Sequence, residues 1–456
     1  MQYPYIPNSN EAVRKEMLDF IGAKSVEEIY SFIPDEVRMK KPLDIPAPFT
    51  TEQELSKHMN SILAEDSTCE ENISFLGAGC YDHYVPAICD EINGRSEFLT
   101  AYSGDTYADH GKCQAFFEFS SMMGELLDLD VISFPTYDGG QAASTALMMS
   151  RRINGRSKAL VPENMNPNLL SQMTCYCEGM QLIGVKAKEN GQMDLEDLKA
   201  KLDSDVAAVF IQNPCFLGFF EEQGKEIGEL AHSVGAEYVV YADPSSLGIT
   251  EPPADYGADI SCGEIQPLGI HMNYGGGQSG FMATMDDPTY VLEFPSRLFG
   301  ICRTNTEGEY AFADVAYDRT SFGHLRDKAK EYVGTQTALW GITAGVYLAT
   351  MGPQGMQEVG ETIMQNAQYA AQKLAALPNV SLRFSAPFFK EFVLDFSKTG
   401  KTVAEINKAL LEKHIFGGKD LSRDFPALGQ CAMYCVTEVH TKEDIDTLVS
   451  ALSEIL

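Results

Sequence analysis

Three stretches of this sequence gather residue types that can bind or react. The run Val239-Val240-Tyr241-Ala242-Asp243-Pro244 puts a carboxylate at the end of a short apolar segment, where an open α/β sheet holds its ligands. Asp243 there could hold a pyridinium proton, or could simply cap the turn that Pro244 begins. A second short run, Ile260-Ser261-Cys262-Gly263-Glu264, follows it, and the cluster Gly275-Gly276-Gly277 closes the stretch. Upstream, Tyr137-Asp138-Gly139-Gly140-Gln141 precedes a helix rich in small residues. Free N–H groups at such a helix start suit a phosphate, although Asp138 would repel one, and an ordinary cap fits as well. The third stretch, Ser74 to Pro86, concentrates Tyr81, His83 and Tyr84 with glycines in a loop. Phenols and an imidazole can donate to a carboxylate substrate or exchange protons with it, or can form a packed loop with satisfied tips. Asp105, Asp109, His110 and Lys112 lie in a polar loop where an Asp and a His could bind metal, but the spacing suggests no complete ligand set, so a solvated loop and no metal are expected. No lysine occurs between Lys225 and Lys328, so no amine in that window could form an imine.

The elements that must position these residues follow from periodicity. Short apolar runs at 131–134, 159–161, 181–185, 207–211, 238–241 and 260–262 read as strands. Helical stretches near 140–152, 167–178, 195–202 and 222–234 alternate with them. That alternation implies α/β: a mainly parallel central sheet covered on both faces. Residues 1–65 read as an N-terminal arm, broken by Pro34, Pro42, Pro46 and Pro48 and too polar to be a core by itself. Residues 66–325 form the expected large α/β domain. Residues 326–456 supply a linking helix, ending at Gly352-Pro353 and followed by another, and a small α+β C-terminal domain. Its last helix opens at Thr441, with Asp444 in a capping-box arrangement. Trp340 and the methionines are most simply core.

Composition excludes several classes of function. A formal charge of -31 over 456 residues would be repelled by nucleic-acid phosphates and by anionic membrane surfaces. Eleven cysteines with no C-x-x-C pair fit free thiols in a reducing compartment better than a disulfide framework. The N-terminus lacks a signal-peptide core, so a cytoplasmic location is expected. The uncharged run from Val333 to Gly352 is long enough for a membrane span, but its threonines favour a buried helix.

Longer motifs point to a family. YPYIPNSNEAVRKEML, SFLGAGCYDHYVPAICD, GEIQPLGI followed by YGGG, AGVYLATMGPQG, FFKEF and VTEVHTKEDIDTL resemble, nearly end to end, glycine dehydrogenase (decarboxylating) subunit 1. That family is the half of the glycine-cleavage P-protein that lacks the pyridoxal-phosphate (PLP) lysine. The resemblance implies a type I, aspartate-aminotransferase-like PLP fold in which Asp243 is a vestige of the cofactor site and no residue of this chain is the imine lysine. It implies a heterotetramer with a homologous PLP-bearing subunit 2, which decarboxylates glycine and passes the aminomethyl group to lipoylated H-protein. This chain alone would be inactive. Tyr81, His83, Tyr84 and Tyr102 would then edge the partner's active site.

The sequence departs from the family's pattern at two loops. Where the family has Thr-Pro-Tyr-Gln-Pro-Glu, this chain has Ser103-Gly104-Asp105-Thr106-Tyr107-Ala108-Asp109, and Thr-Ser-Asn-Ile-Cys-Thr-Asn becomes Lys330-Glu331-Tyr332-Val333-Gly334-Thr335-Gln336. A paralogue acting on another amino acid, or a catalytically silent self-associating scaffold, is the alternative expectation.

Overall fold

The structure, a computed structural model, describes Ile6 and residues 10–41, 43–99, 112–296, 298–314, 330–331 and 336–456. The chain divides into two compact units, Met1–Ser67 and Thr68–Leu456.

Within the first unit, helices span Glu11–Ile21, Val26–Ile29 and Glu52–Leu63, each opened by a side-chain cap from Asn10, Ser25 and Thr51. None of these helices buries a residue. Phe20 and Phe32 are 91% and 82% exposed, so the described residues of this unit have local hydrogen bonds but no core.

The second unit is built on a seven-stranded sheet. Its strands are β2 (Val131–Ile132), β3 (Lys158–Pro162), β4 (Gln181–Val185), β5 (Val206–Asn213), β6 (Glu237–Ala242), β7 (Ile260–Glu264) and β8 (Gly280–Thr284), in the order β2-β8-β7-β6-β5-β3-β4. The pairs from β4 to β7 are parallel, while β8 runs antiparallel to both β7 and β2. The inner strand β5 is apolar from Val206 to Ile211 and buried through Gln212, as a sheet covered on both faces requires. On one face the helix Gly139–Asn154 packs through Ala142, Ala143 and Ala146, whose small side chains let the helix approach the sheet.

Two further pairs stand apart, β1 (Ile73–Ser74) parallel to β13 (Ile415–Phe416) and β9 (Phe299–Arg303) antiparallel to β10 (Tyr310–Asp314). A four-stranded antiparallel sheet carries the C-terminal part, in the order β11 (Ser381–Leu382), β12 (Glu391–Asp395), β15 (Cys431–Cys435) and β14 (Lys419–Asp420). The last helix, Lys442–Ile455, has the capping box expected from Thr441 and Asp444. The helix Ala338–Ala375 joins the two sheets. It is interrupted at Gly352, whose φ of 60° and ψ of -178° supply the non-helical backbone that Pro353 demands of the residue before it. Its first half packs Ala344, Tyr347 and Leu348 beneath the large sheet, and its second half packs Ala367, Ala370 and Leu374 on the small one. Trp340 packs partly buried against the first of these cores. Among the described residues no helix is long and apolar enough to cross a membrane.

The contact that shapes the site lies where the two sheets meet. After β5 the chain turns through Gly218, which has a φ of +97° and no room for a Cβ against the carbonyl of Glu391. Phe389 donates its amide to Gly218 at 3.1 Å and Phe220 donates to Pro387 at 2.7 Å. This clamp fixes the entry into β12, and with it the side chains of Lys390 and Glu391.

Candidate functional site at the meeting of the two sheets

A cavity of about 190 Å³ opens at the C-terminal ends of β5 and β6, lined by Asp138, Gln212, Tyr241, Asp243, Glu264 and Lys390 among others. Strand β6 delivers Asp243 to its floor. One carboxylate oxygen of Asp243 accepts from the Ser245 amide at 3.0 Å and the Ser245 hydroxyl at 2.6 Å. The other faces the Lys390 ammonium at 2.6 Å. Asp243 therefore both caps its turn and pairs with a cation, and the cation comes from the chain itself. Burial pushes its carboxyl up, but the Lys390 charge and hydrogen bond outweigh this and hold it below its ordinary value.

Lys390 is 2% exposed and makes further contacts. Its ammonium lies 3.4 Å from the centre of the Tyr81 ring, a desolvated cation–π contact. It also stands 3.2 Å from Nε2 of His83. An ammonium has only donors, so that ring nitrogen accepts, and the proton of His83 sits on Nδ1. Nδ1 in turn faces Glu438 at 2.8 Å, and the other Glu438 oxygen takes the Tyr84 amide at 2.8 Å. Burial opposes ionisation of Glu438, yet the His83 ring and the Tyr84 amide bring it down to about 2. A chain of alternating groups, Glu438, His83, Lys390 and Asp243, thus runs from the loop to the cavity floor.

The helix start at Gly139 is also occupied from within. Asp138 accepts from the Gln141 amide at 2.6 Å, and the Gln172 amide group reaches both Asp138 oxygens at 3.0 and 3.1 Å. Glu264, from the end of β7, accepts the Gly139 amide at 2.9 Å with one oxygen and the Gln266 amide at 3.1 Å with the other. Burial pushes Glu264 up to about 8 despite these donors. A Cβ on Gly140 would collide with the Gln172 side chain, which lies over the helix end.

These residues do not fit a pyridoxal phosphate on this chain. Its phosphate would meet the Asp138 carboxylate at the helix N-terminus and find the Gly139 amide taken by Glu264, and its ring nitrogen would find Asp243 already paired with Lys390. Among the described residues no group of three or more His, Cys, Asp or Glu is placed to hold a metal ion.

The sequence-derived candidates fall in different places. Asp243, Tyr81 and His83 converge on Lys390. The Tyr81 hydroxyl donates to Glu391 at 3.1 Å, and burial pushes Glu391 up to about 7. Tyr84 points away, 66% exposed, beside a groove lined by Pro86, Tyr347, Met351, Val359 and Val439. Tyr102 and residues 103–111 lie outside the described residues. Of the second departing loop, Lys330, Glu331 and Gln336 are described, and none of them lines the cavity. Glu331 accepts from Thr145 at 2.9 Å, Tyr176 at 2.7 Å and Arg152 at 3.0 Å, so it fastens the segment to the side of the helix Gly139–Asn154.

Sequence reasoning missed Lys390 and Glu391 as site residues, and Glu438 and Gln266 with them. The available signal was FFKEF: two adjacent charges inside an otherwise apolar segment cannot both point to solvent from a strand.

The family described as Glycine cleavage system P-protein matches residues 3–452. The chain is 38% identical over 473 residues to a "Probable glycine dehydrogenase (decarboxylating) subunit 1" of Staphylothermus marinus, covering 100% of this chain and 98% of that protein. A protein of the same description from Carboxydothermus hydrogenoformans is 39% identical, with 98% and 99% covered. Among solved structures the chain is similar to a glycine decarboxylase (P-protein) of the glycine cleavage system in inhibitor-bound form. That match has a TM-score of 0.86 and 32% identity, and covers 100% of both chains. A sphingosine-1-phosphate lyase of Burkholderia pseudomallei shares the fold, with a TM-score of 0.66 at 13% identity over 93% of this chain and 94% of that one.

Proposed function

Because this chain belongs to the glycine cleavage system P-protein family and is a subunit of a glycine-decarboxylating dehydrogenase, we propose that it is the half that carries no cofactor and completes the site of a homologous PLP-bearing subunit. Its fold is that of the type I PLP-dependent transferases. The observation that carries the proposal is the Lys390–Asp243 pair, with Asp138 and Glu264 at the helix start. A chain whose own side chains fill the cofactor's contacts supports a reaction housed on its partner.

On the partner, PLP supplies the electron sink that makes loss of carbon dioxide from glycine feasible. This chain's part is to shape and shield. The loop Tyr81–Tyr84, held from behind by Lys390 and Glu438, presents Tyr84 outward as an edge for the partner's pocket. Residues 1–65 act as an arm, and its exposed Phe20 and Phe32 offer apolar surface that a partner subunit covers. The assembly is a heterotetramer of two copies of each subunit, it delivers the aminomethyl group to lipoylated H-protein, and it works in the cytoplasm.

Glycine–carbon dioxide exchange tests this, with PLP and lipoylated H-protein supplied, for the chain alone and mixed with a PLP-bearing homologue. Exchange is expected in the mixture and absent from the chain alone. Exchange by the chain alone would overturn the proposal. The departure at Ser103–Asp109 favours a second reading, a paralogue specific for another amino acid, which predicts a silent mixture with glycine and an active one elsewhere in an amino-acid panel.

A further inference from the structure

The loop Tyr81–Tyr84 is gripped at each residue, and two of its rings rest on one side chain. Gln266 holds the Tyr81 backbone from both sides, accepting its amide at 3.0 Å and donating to its carbonyl at 2.9 Å. Thr437 donates to the Asp82 carbonyl at 2.5 Å. Glu438 takes the Tyr84 amide and His83 Nδ1. The Tyr81 and His83 rings meet edge to face with their centres 6.0 Å apart, and the ammonium of Lys390, which Asp243 anchors beneath them, touches both.

We propose that Lys390 is a positioning residue that uses the former cofactor carboxylate, Asp243, as an anchor and sets the loop Tyr81–Tyr84 for catalysis in the partner's site. The link to catalysis rests on the function proposed above, while the link to the loop does not. A lysine reaches this task better than a neutral residue because its head offers several donors at once: one to Asp243, one to His83, with the remaining face on the Tyr81 ring. The ion pair is anchored in turn by the clamp at Gly218, so the loop's position is tied to the contact between the two sheets.

Two variants separate positioning from stability. Lys390→Met leaves the partly buried Asp243 without its counter-charge, so it lowers the melting temperature by its charge alone. The double variant Asp243→Asn with Lys390→Met removes both charges at nearly constant volume, which restores stability but not the grip on Tyr81 and His83. Hydrogen exchange on the full chain without any partner is expected to show faster exchange at the Tyr81 and Tyr84 amides of the double variant, with β5 and β6 unchanged. In the assembled enzyme the same variant is expected to raise the KM for glycine about tenfold with kcat within about threefold, the signature of a misplaced binding edge. Wild-type exchange at Tyr81 and Tyr84 in the double variant would overturn the proposal, as would a wild-type KM in an active assembly. An inactive wild-type assembly would overturn the proposed function and the catalytic link with it, while the exchange experiment still decides the loop.

Discussion

Glu264 accepts the Gly139 amide at 2.9 Å, so a carboxylate from the end of β7 sits on the positive end of the helix Gly139–Asn154. Asp138 takes another amide of the same helix start, that of Gln141. Two acids and the Gln172 amide therefore occupy the seat that a phosphate would need.

Equilibrium dialysis of PLP against the chain alone is accordingly expected to show no saturable binding tighter than about 1 mM, roughly 4 kcal/mol of binding free energy. The causes are the Asp138 carboxylate beside the helix start, the occupation of the Gly139 amide by Glu264 and the prior claim of Lys390 on Asp243. A one-to-one site of micromolar affinity would show that Asp138 and Glu264 can leave the helix end.

The same carboxylates set a pH dependence. Glu264 moves from an ordinary value of 4.5 to about 8 in the folded chain, and Glu391 from 4.5 to about 7. An acid raised in this way keeps its proton when folded while the unfolded chain has lost it. Its stabilising contribution is complete below pH 4.5 and is lost as the pH climbs through 7 and 8. Glu438, lowered to about 2, acts in the opposite sense: its contribution is present above 4.5 and disappears as the pH falls toward 2. The melting temperature is expected to peak near pH 5 and decline toward pH 8, as those values require. Glu264→Gln should flatten the alkaline decline whatever its effect on absolute stability. An equally steep decline in that variant would remove Glu264 as its source.

Gly218→Ala tests the clamp that aims Lys390. The substitution forces a Cβ into the left-handed region and against the Glu391 carbonyl. The first effect costs about 1–2 kcal/mol and the second about 1–3 more. Gly400, with a φ of +78° and open space around it, provides the control, for which only the first cost applies. Urea denaturation of the two variants should therefore differ by more than about 1 kcal/mol. Equal losses would mean that the turn after β5 yields without disturbing β12.

Much of this architecture was legible in the sequence because it is local. The apolar runs gave β3 to β7 within a residue or two, and Thr51, Thr441 and Gly352-Pro353 marked helix ends through their own chemistry. Strand β8, antiparallel at its end of the sheet, and the hairpin of Phe299–Arg303 with Tyr310–Asp314 went unread. The hairpin's outward Ile301, Tyr310 and Phe312 blur the alternation that would betray it. The site was half legible. Asp243 stood out because a carboxylate ended a buried strand, but its partner Lys390 arrives from another sheet. Nothing in residue order encodes that pairing. The absence of lysine between Lys225 and Lys328 was informative about imine chemistry and silent about an amine entering from elsewhere in the fold.

Tyr84 offers the sharpest test of how this chain serves its partner. Its amide is fixed by Glu438 while its ring is 66% exposed, so the side chain can be changed without touching the buried network. Tyr84→Ala is expected to alter the stability of the chain by less than about 0.5 kcal/mol, as for other surface substitutions. In the assembled enzyme the same change should lower kcat/KM for glycine about tenfold, equivalent to roughly 1.4 kcal/mol of transition-state stabilisation. Tyr84→Phe then divides the possible roles. If the ring supplies an apolar edge beside the Tyr347–Met351 groove, the phenylalanine variant keeps wild-type kcat/KM. If the phenol donates to the substrate carboxylate, it behaves as the alanine does. Wild-type kinetics for the alanine variant in an active assembly would place the partner's pocket away from this loop, and the proposed edge would have to be sought elsewhere on the chain.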